Sequence, residues 1–341
     1  MMLRLYTLLT LTLLISACIK PETSREQCDI LYQCVRIELG DSPAGKNNKQ
    51  TLDYIFNELQ ILGQVIHPQL IGGVTRVNDR LASGEWSSMN PSLFQLTKDI
   101  QALAQRSNGT LNPAIGKLIT LWGFHQDPKG QQQYQRPGSK AILNLLKQNP
   151  RMDDIEFDGI RVRSINPAVN LQFGLLYQGH IIRLTRTLLQ DAGYTRGRII
   201  TNNLLSTVGI DTQYQQSIDA PAYSIKPDET LCSVSIQDHG FTQDGRYYHR
   251  YLDPDTGYPA PTIESVVVID DDPLSASATC QALMASDGRD WEITSNMMQV
   301  TASKLRWKNG HEAMSKVMAE RVIKENQMNK PQPPAQHELT D

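Results

Sequence analysis

Helix-period and strand-like segments alternate through the interior of this chain with no regular repeat. That alternation confines it to folds in which both kinds of element share a core. "TLDYIFNELQILGQVI" (51–66) spaces Leu52, Ile55, Phe56, Leu59 and Leu62 along one helical face. "NPSLFQLTKDIQALAQRS" (90–107) predicts a second helix, with Asn90 as its cap and Pro91 in its first turn. "SKAILNLLKQN" (139–149), "GHIIRLTRTLLQDAG" (179–193) and "SASATCQALMAS" (275–286) predict three more, the last made of small residues. "CDILYQCVRIEL" (28–39), "GRIITNNLLSTVGI" (197–210) and "TIESVVVIDD" (262–271) predict strands. "YLDPDTGYP" (251–259) lies between strand-like stretches and carries the Asp-Pro and Thr-Gly pairs of a chain reversal. No Pro/Ser-rich linker divides the interior. The expectation is one mixed α/β (α+β) unit with room for two lobes.

The chain has 341 residues, 40% of them hydrophobic and 20% charged, enough to bury a sizeable core. Its net charge of −3 provides no strong positive field for phosphate backbones, which argues against a nucleic-acid partner. "MMLRLYTLLTLTLLISAC" carries one charge, Arg4, then an apolar run too short to cross a bilayer, then small residues before Cys18. This predicts a signal peptide over 1–17, and "LISAC" resembles the bacterial lipobox, with Cys18 as the lipidated first residue. The expected location is the cell envelope, lipid-anchored and facing the periplasm, with 18–27 as a polar stalk. The folded domain is expected over 28–325, and the Pro- and Gln-rich 326–341 as a disordered tail. Cys28, Cys34, Cys232 and Cys280 show no C-x-x-C pattern, and their spacing fixes no pairing. On one extended strand Cys28 and Cys34 would lie roughly 20 Å apart, too far to bridge.

Generic catalytic signatures are missing. There is no G-x-S-x-G, no G-x-x-x-x-G-K-[ST], no H-E-x-x-H and no G-x-G-x-x-G, and the seven histidines are scattered. "SNGTLNPAIGKLITLWGF" (107–124) is the most specific stretch. With "RYLDPDTGYP", "RVN" (76–78), the 169–210 segment and "SASATCQAL", it resembles, in order along the chain, the ApbE family of flavin transferases. The resemblance implies an ApbE-like fold and a Mg²⁺-dependent FAD:protein FMN transferase, which moves FMN from FAD onto a threonine of a target flavoprotein subunit. It places FAD against Thr110, Leu111, Asn112, Gln172, Gln178 and Tyr251. It places the metal at the Leu175 carbonyl, Ser275 and Thr279, and leaves the catalytic group unknown. Asp253, Thr256 and Gly257 are expected to fix a loop beside the flavin.

The same alignment shows where the chain departs from its family. Ser275 stands where the family has a metal-binding aspartate, Gln172 replaces another aspartate, and Gln178 replaces a lysine. Asn202, Asn203 and Leu204 replace Gly-Gly-Asp, and Arg250 replaces a histidine, with His249 one residue early. Formal charge is thus removed where phosphate and metal would be held. The aspartates at 270–272 are expected as a solvated strand end, with a compensating carboxylate as the alternative, and Arg250 is the cation that could meet a phosphate. A catalytically inactive lipoprotein that binds flavin or a partner is the alternative reading.

Overall fold

The computed structural model describes residues 23–30, 33–66, 73–125, 134–215 and 221–323. The signal peptide, Cys18 and the tail from 326 lie outside these residues. Eight strands form one sheet, in spatial order Ser24–Ile30, Gln33–Leu39, Gly197–Ile200, Leu204–Val208, Thr230–Ser235, Ile263–Asp270, Ala302–Trp307 and Glu312–Met314. Every pairing in it is antiparallel. The mixed class expected from the alternation is therefore an α+β arrangement, with its strands joined without parallel crossovers.

Two strand expectations change. The 28–39 stretch is not one strand: Ser24–Ile30 and Gln33–Leu39 pair antiparallel, with Gln27 opposite Val35. This reversal sets the Cα atoms of Cys28 and Cys34 3.9 Å apart, joined by a disulfide. The separation expected for a single strand does not apply, because the two cysteines face each other across a ladder. The first strand also begins inside the stretch assigned to the stalk. Likewise 197–210 is a hairpin, closed where Thr201 N–H donates to the Leu204 carbonyl at 2.9 Å. The five predicted helices form, as α1 (Asn48–Ile66), α3 (Pro91–Arg106), α5 (Ser139–Leu146), α6 (Leu176–Asp191) and α7 (Pro273–Met284), with α2 (Val74–Ser83) and α4 (Gly116–Trp122) between them. Asn90 caps α3 as expected, its side chain accepting from Ser92 N–H.

The central strands are buried on both faces, which explains the unbroken apolar run in "SVVVID". Side chains alternate along a strand, so Val266 and Val268 join the main core while Val267 and Ile269 join a second core on the other face. Helix α7 packs on these strands and on α6. Its small residues permit the approach: a Cβ at Gly179 of α6 would lie 2.3 Å from Ser277 Oγ.

A third, aromatic core surrounds Trp122, which is fully buried among Phe124, Phe241, Tyr248 and Tyr258. Its indole Nε1–H donates to the Gly257 carbonyl at 2.9 Å, joining α4 to the "YLDPDTGYP" reversal. That reversal closes on itself. Asp253 accepts from Asp255 N–H and the Thr256 hydroxyl, and Gly257 N–H donates back to the Asp253 carbonyl. Trp122→Ala is expected to cost about 3–5 kcal/mol, since it leaves both a cavity and an unmatched carbonyl. Urea unfolding measures it, and a loss below about 1 kcal/mol would mean that this core does not brace the reversal.

His249, 1% exposed, ends the hairpin strand Arg246–His249 and sits 3.0 Å from the Ala260 carbonyl through Nε2. Burial, helped by Lys308, pushes its pKa down to about 4. The unfolded chain therefore takes up this proton first. The stabilisation is complete above about pH 6.5 and is lost as pH falls from there to about 4. His249→Gln keeps a donor for Ala260. It should reduce the acid-side slope of stability by up to about 1.4 kcal/mol per pH unit, read from urea midpoints between pH 7 and 5. An unchanged slope would mean that His249 carries a proton in the folded protein.

Candidate functional site

Two backbone ties bring distant segments together. Gly116 N–H donates to the Asn170 carbonyl at 2.8 Å, and Asn170 and Gln172 N–H donate to the carbonyls of Ala114 and Pro113. This zipper lays 113–116 against 170–172 and needs a glycine, because a Cβ at Gly116 would lie 2.2 Å from Asn170 Oδ1. Asn78, of the "RVN" match, locks the same segment: its amide donates to the Leu171 carbonyl and accepts from Leu171 N–H.

The result is a cavity of about 330 Å³. Thr110, Asn112, Gln172, Leu175, Gln178 and Tyr251 all line it. Leu111 does not: its side chain is in the main core, 1% exposed, because the turn after α3 points it inward while Thr110 faces out. Neither Ser275 nor Thr279 lines the cavity. Gln281, two residues past Thr279, and Ala285 at the end of the helix do. Of the "YLDPDTGYP" stretch, Tyr251 and Leu252 reach the wall, while Asp253, Thr256 and Gly257 hold the reversal behind it.

Amide groups dominate the polar lining and are already organised. Gln178 accepts from Thr201 Oγ1 at 2.8 Å and from Asn203 N–H at 3.1 Å, and donates to Asn203 Oδ1 at 3.0 Å. Asn203 in turn donates to Asp238 Oδ2 at 3.0 Å, which also accepts from Ser235 N–H. Asp238 stays solvent-accessible, yet desolvation by the surrounding wall raises its carboxyl above the usual carboxylate range, against the lowering effect of those bonds and of Arg250. Burial likewise pushes the Tyr251 hydroxyl well up, so it stays protonated as a donor.

Among the described residues, Asp238 and Arg250 are the only Asp, Glu, Lys or Arg side chains lining the cavity. Sequence reasoning singled out Arg250 but missed Asp238, along with Gln33, His125, His239 and Gln281. Asp238 sits in a short 3₁₀ turn, Ile236–Asp238, which nothing in "SIQDHG" marks as a site.

The three positions expected for Mg²⁺ do not fit a resident ion. The Leu175 carbonyl already accepts from Gln178 and Gly179 N–H at 3.0 and 3.4 Å. Ser275 is 8% exposed and neutral. The Thr279 hydroxyl is fully buried and has no partner among the described residues, so it is the one ligand left. A hard divalent cation needs carboxylate charge, and none is present there. The aspartates at 270–272 do not supply it. Asp272 caps α7 and pairs bidentately with Arg183, and Asp270 accepts from Asp272 and Thr301 N–H.

Comparison with known proteins agrees with this architecture. The family model described as the ApbE family matches residues 50–302. A protein of Rhodobacter capsulatus called FAD:protein FMN transferase is 27% identical over 69% of this chain and 46% of its own length. One of the same name from Klebsiella pneumoniae is 28% identical over 53% of this chain and 58% of its own. The chain thus spans about half the length of these curated relatives. Among solved structures, the ApbE protein of Thermotoga maritima superposes with a TM-score of 0.78 at 21% identity, covering 88% of this chain and 100% of that one. The apo flavinyl transferase ApbE of Pseudomonas stutzeri gives 0.76 at 18% identity, over 88% and 96%. With three quarters of its length matched by the family model, this chain belongs to the ApbE family.

Proposed function

We propose that this protein is an FAD:protein FMN transferase. A threonine hydroxyl of a target protein attacks the phosphorus of the FMN half of FAD. The new O–P bond forms, the pyrophosphate P–O bond breaks, AMP leaves with the bridging oxygen, and the hydroxyl gives up its proton. What supports this reading above all is the convergence of Thr110, Asn112, Gln172, Gln178 and Tyr251, from three separated segments, on one cavity. The amides and the Tyr251 hydroxyl offer donors and acceptors to a flavin edge, and the aromatic wall of Phe124 and Tyr251 offers apolar area.

Mg²⁺ supplies charge neutralisation to such a transfer when it is bound, and it belongs to the family expectation. Leu175, Ser275 and Thr279 do not fit it, so the steps here rest on the chain's own residues. Asp238 is the carboxylate able to take the hydroxyl proton. Its Oδ2 is held by two donors, its Oδ1 by none among the described residues, and desolvation raises its proton affinity above that of an ordinary carboxylate. The expected location, a lipid anchor at Cys18 on the periplasmic side, rests on the leader sequence. Among the described residues no helix is long and apolar enough to cross a membrane.

Incubation of the purified protein with FAD and a threonine-containing acceptor, followed by intact-mass spectrometry, should show an FMN-sized gain on the acceptor. Asp238→Asn should lower the rate roughly 10²–10⁴-fold with FAD binding retained. No mass gain under any condition, with FAD bound, would favour the inactive flavin-binding alternative. A full rate in Asp238→Asn would remove Asp238 from the chemistry.

A further inference from the structure

Arg250 is the sole Lys or Arg side chain lining the cavity among the described residues, and it is half-buried. Its backbone N–H donates to the His239 carbonyl at 3.2 Å, fixing the start of the side chain. The guanidinium itself has no hydrogen-bond or ion-pair partner among the described residues. By contrast Arg183, on α6, is held by Asp99 and Asp272. Its charge is felt by Asp238, whose pKa Arg250 lowers, but no carboxylate closes on Arg250, so a half-buried guanidinium with unmatched donors facing a cavity offers a place for an anion.

The surroundings fit that place. Gly174, with φ +55°, leaves open the ground in front of the guanidinium: a Cβ there would lie 3.2 Å from Arg250 Nη2 and 3.5 Å from Gln281 Oε1. The neighbouring positions that are acidic or cationic in the family are neutral here, Gln172 and Gln178, and both face the same cavity. Asp238, the one carboxylate of the lining, has its Oδ2 taken up by Asn203 and Ser235. Two histidines also line the cavity. Burial lowers the pKa of His125, and His239 Nε2 lies 3.0 Å from the Tyr134 hydroxyl.

We infer that Arg250 is the anchor for the diphosphate of the bound dinucleotide, supplying the positive charge that a metal at position 275 and a lysine at 178 would otherwise share. The inference rests on the FAD reading above and deepens it: flavin dinucleotide binding by this chain is independent of divalent cations and dependent on Arg250. A planar guanidinium matches two phosphate oxygens at once, which a lysine does not, so Arg250→Lys should recover only part of the affinity lost in Arg250→Gln.

The test is equilibrium binding of FAD to the purified full chain, followed by flavin fluorescence, in excess Mg²⁺ and in excess EDTA. Riboflavin, which carries no phosphate, is the control ligand. Expected are equal FAD affinities with and without the metal, and a loss of about 10- to 100-fold in Arg250→Gln. Arg250→Lys should be intermediate and riboflavin binding unaltered by either variant. FAD binding that disappears in EDTA, or that survives Arg250→Gln undiminished, overturns the inference while leaving the FAD reading intact. If the unaltered protein binds neither flavin, with or without metal, the FAD reading fails. Calorimetry with inorganic pyrophosphate then decides the anchor separately. Binding lost in Arg250→Gln supports it, and no binding to the unaltered protein overturns it.

Discussion

The hydrogen bond from the Trp122 indole to the Gly257 carbonyl joins the two parts of the chain that the cavity needs most. On one side, α4 and its approach carry Thr110 and Asn112; on the other, the chain reversal carries Tyr251. A buried carbonyl at a turn must find a donor, and a fully buried indole must find an acceptor. Each solves the problem of the other, 135 residues apart in sequence. Around that bond the aromatic rings of Phe124, Phe241, Tyr248 and Tyr258 pack closely and shield it from water.

The second organising feature is the neutrality of the site. Where the family pattern has aspartate and lysine, this chain has amides, and the amides are satisfied by one another: Thr201 to Gln178, Gln178 to Asn203, Asn203 to Asp238. A buried polar network is stable only when nearly every member is paired, and here the chain of donors ends on a carboxylate that can absorb it. Replacing a buried ion set by amides removes the desolvation cost of the charges, but it also removes their field. What field remains comes from Asp238 and Arg250. The compensation that the sequence offered in the 270–272 aspartates has gone to architecture: Asp272 to a helix cap and to Arg183, Asp270 to two backbone donors.

The close contact of α6 with α7 makes this neutral site possible. Gly179 and Ser277 let the two helices approach until no ordinary side chain would fit between them, and the same contact buries Thr279. Helix α7 then shows the cavity Gln281 rather than position 275 or 279, so a site inferred from the family's helix pattern falls away from the wall that is open.

By itself the amino-acid sequence determined the helices, whose periodic apolar faces and caps are local, the 262–271 strand, and membership of the family through motifs such as "NPAIGKLITLWGF" and "YLDPDTGYP". It also named part of the cavity's lining, because those motifs carry their residues at set positions. Pairing was left to the tertiary structure. A hairpin and a single strand have the same composition, so 28–39 and 197–210 looked continuous, and the Cys28–Cys34 bond became possible only once the chain reversed. Which polar groups are spent on the fold and which are free is likewise a matter of distance. Leu111 turned inward, Asp272 met Arg183, Asp238 arrived from an unmarked 3₁₀ turn, and Arg250 was left facing the cavity with no hydrogen bond or ion pair to its guanidinium among the described residues. Local sequence carries propensity and pattern, whereas charge compensation depends on atoms that meet only after the chain has folded.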